Sequence, residues 1–146
     1  MYLKIFIIVL LIVGSIYDCK YLSLPKWLLL TSLLGSFGSV VFRLWTGEAY
    51  WGRVLGAMIP GLVMILLSRL AKEQIGCGDG LILLGMGGCM EYIEVMYSFW
   101  LALLLVFLVS AVLVVFKGVK YNIKLPFVPF LAMSSILVLG GELLLG

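Results

Sequence analysis

The apolar positions of this chain fall in long runs, separated by short polar or charged intervals. The first run extends from Leu3 to Ile16 with Lys4 near its start. No small-x-small cleavage site follows it, so it reads as a span rather than a removable leader. A polar flank from Asp18 to Lys26 ends in Leu24-Pro25-Lys26, where Pro25 suits the first turn of a second run, Trp27 to about Leu44. A third run, Val54 to about Leu70, contains Pro60 and is expected to kink there. The fourth, about Ile75 to Ile93, carries Gly85, Gly87 and Gly88, which let neighbouring helices approach its backbone. Val95 to Phe116 is the longest apolar run, and Leu125-Pro126-Phe127-Val128-Pro129-Phe130 opens the sixth. A helix needs ~20 mostly apolar residues to cross a bilayer, so the pattern predicts an all-α, polytopic membrane protein with about six transmembrane helices. Residues 1–146 are expected to form a single transmembrane domain with no room for a sizeable soluble one.

Six spans alternate in direction, so the loops after the first, third and fifth share a side. Those loops hold Lys20, Lys26, Arg69, Lys72, Lys117, Lys120 and Lys124, against Lys4, Arg43 and Arg53 on the other side. An excess of Lys and Arg marks the cytoplasmic face, so both termini are expected outside. The same lysines are expected to meet membrane lipid.

Composition agrees with the runs: 64% of the 146 residues are hydrophobic, 12% are charged, and the mean hydropathy is +1.27. The absence of histidine excludes Ser-His-Asp and Cys-His nucleophilic sites and any zinc site built with histidine. Three cysteines, Cys19, Cys77 and Cys89, form no C-x-x-C pair and read as free thiols. Neither a metal nor a cofactor is expected, and nothing suggests a nucleic-acid partner.

Against this background the stretch Ile75-Gly76-Cys77-Gly78-Asp79-Gly80 stands out, because it places a carboxylate between glycines at the start of an apolar run. An acid at the middle of a membrane helix costs roughly 2.5 to 3.5 kcal/mol, and intramembrane acids mark functional sites. Alternation of the spans puts Asp18, at the end of the first, at the same membrane face as Asp79, at the start of the fourth. At ~4 Å and an effective dielectric of about 20, two carboxylates repel by roughly 4 kcal/mol. Such a pair would hold one proton between its members, as the aspartic protease dyad does. The ionised member then takes a proton from an attacking water while the protonated member hydrogen-bonds the oxyanion. Gly76, Gly78 and Gly80, having no Cβ, are expected to allow unusual backbone dihedrals and close approach of a substrate or helix to Asp79. Pro126 and Pro129 are either a helix start or an irregular backbone with which an extended substrate pairs.

Asp18 with Pro25 seven residues on, Gly76-Cys77-Gly78-Asp79, and the Leu125 to Ala132 segment occur here in the order found in the type IV prepilin peptidases, and the chain resembles that family. The resemblance implies a six-helix intramembrane aspartic protease with Asp18 and Asp79 as its catalytic pair. Its substrates would be prepilin-like proteins, cut at the cytoplasmic side of the cell membrane between a basic leader and an apolar helix. Many members also carry a cysteine-rich segment linked to N-methylation; this chain lacks it and resembles the short, protease-only forms. Two departures are visible: Gly80 and Leu81 follow Asp79 where the family often has a lysine two residues on, and Lys26 stands where asparagine is usual. Two other classes stay open from the residues themselves. One is a small proton- or cation-coupled transporter using Asp18 and Asp79; the other is a catalytically inactive pilus-assembly factor.

Overall fold

A computed structural model describes residues 2–47, 50–70, 76–117 and 125–146, with the side chain of Lys117 outside the description. Among the described residues the only regular elements are six α-helices: α1 (Tyr2–Tyr21), α2 (Lys26–Trp45), α3 (Trp51–Leu70), α4 (Cys77–Cys89), α5 (Tyr92–Lys117) and α6 (Val128–Leu145). Five are long and apolar enough to cross a membrane, and α4 is the shorter exception. Lys72, Lys120 and Lys124, on which much of the expected sidedness rests, lie outside the described residues.

α4 is the axis of the bundle. It packs mainly between α2 and α3, with α1 and α5 completing its surroundings. Gly80, Ile82, Leu83 and the run from Gly85 to Cys89 are buried. The small side chains on this helix let its neighbours surround it. The outer helices instead turn large apolar side chains outward: Phe37 is 71% exposed, Phe107 70% and Val115 76%. Outward apolar faces of this kind are what lipid tails would cover.

Small residues let the helices touch. A Cβ on Gly87 would stand 2.4 Å from the Ala57 carbonyl oxygen of α3, and one on Gly85 would stand 1.9 Å from Ser32 Oγ of α2. Both contacts are possible only without the side chain. Ser39 follows two turns along α2 from Ser32 and donates to the Gly88 carbonyl at 2.8 Å, tying α2 to α4. Such small or polar contacts replace the hydrophobic drive that lipid does not supply.

The fourth element ends earlier than its apolar run. Rather than continuing to Ile93, α4 stops at Cys89, and the chain turns at Met90 and Glu91 into α5. The cause is a cap: the Glu94 carboxylate accepts the Glu91 N–H at 2.9 Å, which satisfies a donor that a starting helix leaves open. The backbone around Asp79 also differs from expectation. Gly76 has φ −61° and ψ 116°, and the positive-φ glycine among the described residues is Gly47. The glycines near Asp79 therefore provide space rather than unusual dihedrals.

Candidate active site

Three helix ends meet at one end of the bundle. The last turn of α1 carries Asp18, the first turn of α4 carries Asp79, and α6 begins beside them. The local sequence fixes each. Leu22 adopts φ +50°, and its N–H donates to the Asp18 carbonyl at 2.9 Å, which ends α1 one turn after Asp18. The chain then reaches Pro25, whose carbonyl accepts from Leu28 N–H at 3.1 Å as α2 begins. Leu24, between the two helices, lies against the backbone of Gly78.

Asp79 is held by its own helix start. Gly76 is the residue before α4, and its carbonyl accepts the Asp79 N–H at 3.1 Å. Gly80 brings α3 close on the next step, since a Cβ there would lie 2.9 Å from the Ile65 nitrogen. Gly76 itself is exposed, and a Cβ on it would stand 3.0 Å from Asp79 Oδ2. A side chain at position 76 would thus crowd the carboxylate.

Asp18 is buried, with 6% of its surface exposed, and Asp79 is half-buried. The Asp18 Oδ2 atom accepts the Val128 N–H at 3.1 Å, with the Phe127 N–H beside it. These donors are the open N–H groups at the N-terminus of α6, where Phe127 is the cap and Pro129 sits in the first turn. Pro126 and Pro129 therefore belong to a helix start whose free N–H is used by Asp18. The Asp79 carboxylate lies within electrostatic reach of Asp18, although no hydrogen bond joins the two. Among the described residues neither aspartate has an ion-pair partner, because both ion pairs belong to Lys4 at the other end. Lys20, two residues after Asp18, stands over the Tyr21 ring at 5.4 Å.

Two carboxylates, one buried and one half-buried, within electrostatic reach of each other and without an ion-pair partner among the described residues, can share a proton. One can then accept a proton while the other donates a hydrogen bond. Among the described residues no three Cys, Asp or Glu side chains cluster as a metal site, and Cys19 and Cys77 are exposed free thiols beside the two acids.

The Val128 N–H is the participant that residue types do not announce. Its signal in the sequence is positional: Pro126 and Pro129 mark a helix start, and alternation places that start at the face of Asp18.

A model of the type IV leader peptidase family matches residues 5–119 of the chain, which includes both aspartates and stops short of Pro126. No curated protein and no solved structure matches it.

Proposed function

Because the chain belongs to the type IV leader peptidase family, we propose that this peptidase is an intramembrane aspartic endopeptidase with Asp18 and Asp79 as its dyad. Its apolar helices make it a multi-pass membrane protein. Its substrates, in this reading, are prepilin-like proteins, and the cut releases a basic amino-terminal leader at the cytoplasmic face. The observation that carries the reading is the meeting of two carboxylates from α1 and α4 at one end of the bundle, neither with an ion-pair partner among the described residues.

The hydrogen bonding suggests a division of labour. An N–H aimed at a carboxylate stabilises its anion, and Asp18 receives one from Val128. Asp79 accepts no hydrogen bond among the described residues. Asp18 is accordingly the base that takes a proton from water as the water oxygen attacks the scissile carbonyl. Asp79 carries the shared proton and hydrogen-bonds the carbonyl oxygen as it gains charge. Collapse of the tetrahedral species breaks the C–N bond, and the leaving amine takes a proton. The products are a leader ending in a carboxylate and a substrate with a new amino terminus.

The test is cleavage of a prepilin-type substrate by the purified protein in vesicles, with the new amino terminus read by mass spectrometry. Cleavage between the basic leader and the apolar helix is expected. Intact substrate, together with a proton or cation flux that depends on Asp18 and Asp79, would replace the protease with a transporter.

A further inference from the structure

At the end of the bundle remote from Asp18 and Asp79, α1 and α2 leave a cleft of about 580 Å³ between them. Its apolar wall includes Phe42, and Gly35 and Gly38 line it on α2. A Cβ on Gly38 would meet nothing within 4 Å, so the space in front of it is open. The rim bears charges of both signs. Arg43 and Glu91 line the cleft, and both also line a second, adjoining hollow of about 180 Å³ with Arg53. Arg43 spends one donor on the Met90 carbonyl at 3.3 Å. Arg53 stacks over Tyr50 at 6.0 Å. Although they share these walls, no ion pair joins Arg43 or Arg53 to Glu91 among the described residues. Lys4, also at the rim, is taken up by Glu94 and Glu142.

We propose that this cleft is a binding site for a phospholipid with a zwitterionic, primary-amine headgroup. The planar guanidinium of Arg43 has donors left for a phosphate, and the exposed Glu91 carboxylate accepts from an ammonium. An acyl chain occupies the apolar cleft in front of Gly38, beside Phe42. A purely anionic lipid would satisfy Arg43 and be repelled by Glu91, so the pair of rim charges selects the zwitterion. The inference stands apart from the catalytic reading, since none of these residues belongs to the dyad end.

The experiment is native mass spectrometry of the purified, delipidated full-length protein titrated in turn with phosphatidylethanolamine and phosphatidylglycerol. One phosphatidylethanolamine is expected to be retained, about tenfold more tightly than phosphatidylglycerol, which corresponds to about 1.4 kcal/mol. Gly38→Leu, which fills open space, should abolish retention with the unfolding temperature unchanged. Arg43→Gln should weaken both lipids, and Glu91→Gln, at an exposed position, should remove the preference between them. Equal retention of both lipids by wild type, or retention by a folded Gly38→Leu protein at the wild-type level, would overturn the proposal.

Discussion

Two carboxylates in this molecule are almost equally buried and live in opposite circumstances. Glu94, 3% exposed, receives the Lys4 ammonium and caps the start of α5 through the Glu91 N–H. Asp18, 6% exposed, has a backbone N–H and a second acid for company. At the other end a single ammonium serves two carboxylates, since Glu142 also reaches Lys4 at 3.4 Å. Such an arrangement gathers three helix ends around one cation. At the Asp18 end neither acid has an ion-pair partner among the described residues, and in the proposed reading the pair's counter-ion is a proton. Burial of an acid alone therefore does not identify chemistry here. Its partners do.

That contrast breaks if substitutions at the two ends act alike. The largest effect is expected from Asp18→Asn and Asp79→Asn, each lowering the cleavage rate by about 10³-fold, within the range for loss of a positioned acid or base. Neither should lower the unfolding temperature, since each puts a neutral amide of the same shape in a pair that has no ion-pair partner among the described residues. Lys4→Met should do the reverse. It leaves Glu94 buried without a cation, a change worth about 3 kcal/mol of stability, while the cleavage rate of the folded fraction stays at wild type. A Lys4→Met/Glu94→Leu double variant should regain much of that loss, which a thermal unfolding series would reveal.

Smaller effects sharpen the account of the dyad. The rate of cleavage should follow a bell-shaped pH profile, falling about tenfold per pH unit on each limb. On the acid side both aspartates carry protons and no base remains; on the alkaline side both are ionised and no donor remains. A flat profile from acid to neutral pH would remove the shared proton from the mechanism. Val128→Pro deletes the N–H that Asp18 accepts, and it also shifts Phe127 out of the helical region it occupies at φ −87° and ψ −37°. It should lower kcat by up to about tenfold and shift the acid limb, with little change in KM. An unshifted limb would leave the α6 N-terminus a structural role alone.

The helices were legible because the sequence is nearly a list of apolar runs, and a run of that length in lipid has no alternative to the helix. Alternation of direction then brought Asp18 and Asp79 to one face without any coordinates. What escaped has identifiable causes. The break at Met90 and Glu91 comes ahead of Ile93, the expected end of the fourth run, and it depends on the Glu94 cap. The Lys4, Glu94 and Glu142 cluster joins residues 90 and 138 positions apart, so no local pattern records it, although alternation places all three at one end. Val128 contributes a backbone donor, which residue types cannot disclose. Gly52 and Gly56, a small-xxx-small pair on α3, divide: a Cβ on Gly56 would meet the Tyr92 ring at 2.9 Å, whereas Gly52 faces open space.

The contrast between the two ends is tested most directly by measuring cleavage rate and unfolding temperature together for Asp79→Asn and Lys4→Met. A crossed result is expected: Asp79→Asn folded and inactive, Lys4→Met destabilised and active while folded. An Asp79→Asn protein that cleaves at the wild-type rate would contradict the assignment of chemistry to the paired acids.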